Sequence, residues 1–487
     1  MSISSALSNA LSGLTVSSRA TDILSSNVAN AMTDGYGTRR LEVGARVLGN
    51  AGAGAQVIGV TRMADMVLIG QRRGADSSLG AAATLAGYHG RIEQLIGTPD
   101  ASGSLSAKFA DFEAGLILAA NGPDSQTRLT AAVTAAIEMV TAINDTADGI
   151  QGERLVADQR IGQMVVQLND NLSRLADLNQ QIRSGMGGGR DVSALLDAQQ
   201  VLVDQIAPMI PLHERRDGGG QLQLYSNDGR ALLDGRAAQL GFSTASVMEA
   251  DMTLANGALS GLSVNGQPVP LAGAFPAFQG GALSAQFHIR DVDAVASQAR
   301  LDAVALDLAA RFDATGLDPT LGALDAGLFT DAGGRADGLN EVGLASRLRI
   351  NIAVVADSGG DVARLRDGLG ATSAGPIGDA GLLMGMIDAL GASRTTQSGG
   401  FSAVGRSMAG LVSDHLSLAG LARQTAETHQ GHESARHAAF RQEELAGGVD
   451  TDAEMQRLLQ IEQAYAANAR VIATVEQMMD QLMRLGA

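Results

Sequence analysis

The sequence predicts a mainly α-helical fold with an inserted β-rich domain. Long terminal helices pair as a coiled coil, a helical bundle forms an inner domain, and a small β domain projects outward. Three observations predict it. Both ends carry apolar residues on an alternating four-three spacing, an internal segment repeats that spacing, and one stretch is broken by turn signals into short alternating runs.

At the first end, Ile3, Leu7, Ala10, Leu14, Leu24, Val28 and Ala31 fall on the stripe, which Ser17 and Thr21 interrupt. At the other end the stripe holds Leu458, Ile461, Tyr465, Ile472, Val475, Met479 and Leu482, with Asn468 as its polar member. Stripes of this kind are helix seams, and a short isolated helix is marginal in water, so each end needs a partner. The nearest candidate is the other end. The expectation is a hairpin whose terminal seams stay half-made and disordered until neighbouring subunits bury them. An ordinary amphipathic helix pair within a monomeric bundle is the competing reading. Asn468 is open to two readings, a buried amide that sets helix register or a polar side chain facing a gap.

After the first helix, Thr33, Asp34, Gly35 and Gly37 end it and turn the chain. Val43, Val47, Val57, Ile58 and Val60 then sit among glycines, as in a loose hairpin or extended arm. Helical periodicity resumes from 62 to 206. Its clearest piece is Ile161, Val165, Leu168, Leu172, Leu175 and Ile182, interrupted at Asn179, with Arg154, Asp158, Arg160, Asp170, Arg174 and Asp177 expected on the wet faces. The run Gly185 to Gly189 breaks it; following a helix, with no Lys-Ser/Thr after it, this is a loop rather than a phosphate cradle.

Residues 207–290 change character. Pro208, Pro211, Gly218 to Gly220, Gly257, Gly261, Gly266, Pro268, Pro270 and Gly273 punctuate runs such as Gln221 to Tyr225 and Leu262 to Val264. Asn227-Asp228-Gly229 and Asn265-Gly266 are hairpin turns. A long helix follows from Val292 to Phe312, then a Gly- and Asp-rich loop from Gly316 to Gly343, and a strand-like stretch from Leu348 to Val355 among short helices. Residues 401–445 return as one helix stopped at Gly447-Gly448, and Thr451-Asp452-Ala453-Glu454 reads as a capping box that starts the last helix. The implied division is a terminal assembly domain (1–60 and 431–487), a helical rod-like domain (61–206 and 346–430) and a β-rich outer domain (207–345) holding the helix near 292–312.

A net charge of -17 carries no nucleic-acid footprint and keeps copies apart in solution. There is no cysteine, so disulfide and thiol chemistry are excluded. Without Trp, and with few aromatics, the cores are built from Ala, Leu, Val, Ile and Met. The longest apolar runs, such as Ala380 to Ile387, are far short of the roughly 18 residues that suggest a bilayer span. No basic-then-apolar leader opens the chain, so no cleaved secretory signal is expected. His429, His432 and His437 lie near Glu433, but their spacing is not that of a helical zinc site and they read as a solvated face. No nucleophile elbow or compelling acid pair is present, so no catalytic, cofactor-binding or metal-ligating residue is assigned.

Ser26-Asn27-Val28-Ala29-Asn30-Ala31-Met32-Thr33-Asp34-Gly35-Tyr36 resembles the N-terminal motif of flagellar rod, hook and junction axial proteins, carried here by Asn27, Asn30, Thr33, Gly35 and Tyr36. Val60 to Asp65 with Gln71-Arg72-Arg73, Leu105-Ser106 with Phe109 to Phe112, and Pro123 to Arg128 look like the hook-associated protein 1 family, the first hook-filament junction proteins. Leu175 to Ile182, Asp191 to Asp204 and Gln463 to Ile472 are similar to further blocks of that family. Where relatives commonly have Leu-Leu-Asp-x-Arg-Asp, this chain has Leu195-Leu196-Asp197-Ala198-Gln199-Gln200, so an ion pair is missing there; the β region is also short.

The resemblance implies a structural subunit forming a ring with itself between hook and filament. Its implied partners are the flagellar hook protein, the second hook-filament junction protein and an export chaperone on the C-terminal helix, without nucleic acid or membrane insertion. It also implies uncleaved type III export from the cytoplasm to an extracellular position. The implied assembly seam comprises Ile3, Leu7, Leu14, Leu24 and Val28 with Leu458, Ile461, Tyr465, Asn468, Ile472, Val475, Met479 and Leu482. Tyr36 and Arg39-Arg40 are expected to contact neighbouring subunits, with anchoring of the turn as the other reading. The alternative within the family is a self-polymerising hook protein or flagellin-like chain.

Overall fold

The computed structural model describes residues 3–48, 51–218, 220–271, 277–313 and 315–485. The predicted turn glycines Gly219 and Gly273 lie outside the described residues. Helix α1 (Ile3–Ala29) leads into a long antiparallel hairpin, β1 (Thr38–Leu48) and β2 (Ala51–Met63). Helices α2 (Met66–Ile96), α3 (Leu105–Ala120), α4 (Gln126–Gly187) and α5 (Ser193–Ile206) follow. Asp65, Ser104 and Ser125 cap the first three of these through side-chain oxygens that accept from first-turn amides.

Two small antiparallel sheets come next, β3 (His213–Arg216) to β6 (Arg236–Ala237), and β7 (Leu240–Gly241) to β9 (Gln267–Pro268). In the first, β4 (Leu222–Tyr225) pairs with β5 (Ala231–Asp234); in the second, β8 (Ser263–Val264) is central. Asn265 and Gly266 both take left-handed backbone, as a two-residue hairpin turn requires. A short α6 (Ala282–His288) passes through a π-turn at Ile289–Asp293 into α7 (Ala294–Phe312). The strand-like stretch from Leu348 shortens to β11 (Leu348–Ile350), paired with β10 (Phe329–Asp331). The single turns α8 (Leu344–Arg347) and α9 (Arg364–Asp367) lie in the loops, and α10 (Gly381–Gly391) precedes α11 (Met408–Ala446) and α12 (Thr451–Leu485). The returning helix starts seven positions later than its pattern suggested, where Ser407 accepts from the Gly410 amide.

The apolar side chains form two cores. One joins Ile92, Phe112, Met139 and Ile150 of α2 to α4 with Leu301 and Leu308 of α7 and Leu411 of α11. The other joins Ile161, Leu168 and Leu175 of α4 with Leu224, Leu233, Val264 and Phe287. The helix near 292–312, expected within the β-rich part, therefore packs in the bundle core. The predicted wet face of α4 also needs correction. Arg160, Asp170, Arg174 and Asp177 are exposed, whereas Arg154 and Asp158 are buried where the two cores meet. Arg154 donates to the carbonyls of Glu249, Met252 and Arg290, and Asp158 pairs with Arg290 at 2.7 Å and accepts from the Ala245 amide. Loop carbonyls and a buried partner replace water, which spacing along one helix cannot reveal. Asn179 interrupts the heptad because its amide both donates to and accepts from the Leu222 backbone, stitching α4 to β4.

Candidate assembly junction at the two ends of the chain

Helices α1 and α12 lie antiparallel, so both termini are helical and paired within one chain. This departs from half-made, disordered ends, because a partner is already supplied. Leu24 and Val475 are buried, while Ile3, Leu7, Leu14, Leu458, Ile461, Asn468 and Ile472 are half-buried. Gly13 sits against Asn468: a Cβ there would lie 2.5 Å from Asn468 Nδ2. The amide thus faces a helix surface rather than a gap.

Val28 is 37% exposed, Tyr465 49%, Met479 49% and Leu482 56%, so these four are not closed off by the pair. The register set by Gly13 against Asn468 and Asn27 against Glu454 carries Met479 past the described start of α1, so α1 as described does not reach the end of α12. Val471 and Met478, flanking the seam, and Leu482 at its far end form an uncovered apolar strip.

The junction itself is built around Asn27, which is fully buried. Its carbonyl oxygen accepts from Tyr36 Oη at 2.8 Å and from the Arg39 amide at 3.0 Å. Its amide nitrogen donates to the Arg39 carbonyl at 2.9 Å and to Glu454 Oε2 at 3.3 Å. Asn30 donates to the Ser26 carbonyl and its side-chain oxygen accepts from Thr33, closing the helix end. Gly35 takes φ +76°, and a Cβ there would meet Val201 of α5 at 2.7 Å. The turn motif therefore joins both terminal helices, the hairpin base and α5.

Two sequence expectations change here. Tyr36 and Arg39 do not reach outward: Tyr36 bonds Asn27, and Arg39 stacks over the Tyr36 ring at 5.0 Å and pairs with Asp197 at 3.0 Å. Arg40 is exposed. Nor does Thr451 open a capping box. Asp450 Oδ1 accepts from the amides of Asp452 and Ala453, each at 3.0 Å, while Glu454 turns inward to Asn27 and Arg457. An ionised side chain answers the helix N-terminal dipole better than a hydroxyl, so the cap moves one residue earlier.

Asp197 emerges as a hub that motif reading missed. It accepts from Arg62 at 2.7 Å, from Arg39 and from the Gly37 amide, so this carboxylate has cationic partners in the hairpin despite the neutral Gln199 and Gln200 beside it. Arg62 also donates to Gln200 Oε1 and to the Gly35 carbonyl. Next to it, buried Arg72 pairs with Asp76 and Asp204 at 2.6 Å and with Glu444 of α11, while Arg73 pairs with Asp204 and Glu214. Burial pushes the Asp76 carboxyl up from its ordinary value, against the pull of Arg72 and of His437, 2.9 Å away. An Arg doublet whose carboxylate partners lie as far along the chain as Glu444 could not be paired from sequence. His437 is thus committed to Asp76, and His429 lies 3.9 Å from Glu433. Among the described residues no group of three or more His, Asp or Glu is placed to hold a metal ion.

Residues 89–319 match the family described as the flagellar hook-associated protein FlgK helical domain. Residues 7–36 match the flagella basal body rod protein family, and 446–485 the flagellar basal body rod FlgEFG protein C-terminal family. The flagellar hook-associated protein 1 of Salmonella typhimurium is 28% identical over 246 residues, which are 49% of this chain and 44% of that one. Its Bacillus subtilis counterpart is 22% identical over 98% of this chain and 97% of its own. The solved flagellar hook junction protein FlgK of Burkholderia pseudomallei shares 19% identity over 54% of this chain and 47% of that one, with a TM-score of 0.45. The match thus spans less than half the length of the Salmonella relative. With a match to the hook-associated helical domain lying between two rod-protein matches, the chain is similar to the flagellar hook-associated protein 1 family of axial proteins.

Proposed function

We propose that the chain is a structural subunit of the bacterial flagellum, forming with its own copies the junction ring between hook and filament. The observation that carries this reading is the Asn27 junction: it welds α1, α12 and the hairpin into one end-piece beside an uncovered apolar strip on α12. Such a strip is stable in water only while small, and neighbouring copies would bury it. The hook protein and the second junction protein are the flanking partners in this reading. An export chaperone covers α12 beforehand, and type III export carries the chain outside. The terminal segments 1–60 and 431–487 act as the assembly domain, 61–206 and 346–430 as the rod-like body, and 207–345 as the outer part.

Deletion of the gene followed by electron microscopy tests the proposal. Cells should keep hooks, lose filaments and release flagellin into the medium; full-length filaments on the deletion strain would end it. Long homopolymers grown from pure protein would instead favour a self-polymerising axial role.

A further inference from the structure

Helices α2, α7 and α11 leave a cleft of about 450 Å³ between them. The space exists because small side chains, Ala82, Ala296, Ala419, Ala422 and Ala426, stand where larger ones would meet. Leu85, Ile92 and Ile96 supply an apolar wall. Its size falls within the range of small-molecule sites, and its lining combines apolar surface with a few convergent polar groups.

Two of those polar groups lack the partners that folded chains usually provide. His415 is 2% exposed, and neither ring nitrogen has a hydrogen-bond partner within the protein. Burial, with Arg300 nearby, pushes its pKa down to about 4, so at neutral pH the ring is uncharged and offers one N–H donor and one acceptor. Arg300, half-buried on α7, lines the same cleft and forms no ion pair among the described residues. Asp293, at the start of α7, also lines the cleft and lies 3.3 Å from His288 and 3.9 Å from His89. Its negative charge disfavours a multiply charged anion, and the apolar wall disfavours a small, strongly hydrated one. A guanidinium pairs most strongly with a planar carboxylate.

We propose that this cleft binds a small monocarboxylate with an apolar body, its carboxylate on Arg300 and the His415 N–H, and its body against Leu85, Ile92, Ile96 and Ala419. The ligand would bridge three helices of the bundle core and so stiffen the body without touching the terminal helices.

Calorimetric titration of the full chain with sodium octanoate tests this, with octylammonium and 1-octanol as charge-altered probes. One saturable octanoate site per chain is expected, with octylammonium failing to saturate. Arg300→Gln should weaken octanoate by about tenfold or more, and Ala422→Leu, which fills the mouth, should abolish binding. Thermal unfolding of both variants should match the parent, since one position is half-exposed and the other lines open space. Absence of saturable octanoate binding overturns the proposal, and so does equal binding of octanoate and octanol that Arg300→Gln leaves unchanged.

Discussion

Asn27 uses both ends of one buried amide to make four hydrogen bonds, two accepted by its oxygen and two donated by its nitrogen. Asn27→Ala leaves Tyr36 Oη only its longer contact with Ser26 Oγ at 3.3 Å, strips the Arg39 backbone of both its bonds to the amide, and removes one of the two partners of the buried Glu454. The expected loss is about 2–3 kcal/mol, read as a lower urea midpoint, and a midpoint unchanged within error would show the junction to be incidental. His415 makes a second prediction. Its folded pKa near 4 lies below the 6.5 of an unfolded imidazole, so the unfolded state takes up the proton first as pH falls. Stability is therefore full above pH 6.5 and declines toward pH 4, by up to about 1.4 kcal/mol per unit crossed. His415→Leu should flatten that decline, and parallel stability curves for the two proteins would refute it.

At the level of elements, the face of α12 that meets α1 and the strip beside it separate by mutation. Val475, 2% exposed, belongs to the intrachain pair; Leu482, 56% exposed, is left uncovered among the described residues. Val475→Asp should loosen α12, costing about 3 kcal/mol, with fast amide exchange along α12 and slow exchange kept in α4. Leu482→Asp should leave exchange unchanged yet block incorporation into flagella, and normal filaments on that mutant would count against the assembly strip. Periodicity exposed α1, α12 and the heptad of α4 because one helix face is a local property of sequence. It could not show that α12 runs past the described start of α1, since register depends on one glycine meeting one amide 455 positions away. The cap shift from Thr451 to Asp450 had a local signal, an Asp directly ahead of the Thr, which the capping-box pattern overshadowed.

For the whole molecule, the decisive contacts lie between distant segments, and there the sequence was least legible. The β-rich insert announced itself through Asn-Gly and Asp-Gly turns, but nothing in Val292 to Phe312 told which core it would join; Leu301 and Leu308 suit either. Nor did Arg154, Asp158 and Arg290 betray that they form the waist between the cores. Asp158→Asn leaves a fully buried guanidinium short of one of its two carboxylate partners, at about 3–5 kcal/mol. Unfolding should then split into two transitions, one per core, in calorimetry; a single transition shifted as a unit would show the cores to be coupled elsewhere.

Helix α4 has 62 residues and contributes side chains to both cores, giving an uninterrupted rod of about 93 Å. A rod shared in this way resists torsion as well as bending, because its backbone hydrogen bonds must shear before either end can rotate alone. Torque applied at one core is therefore delivered to the other with little lag, which makes the body of this subunit a stiff transmission element rather than a pair of beads on a string.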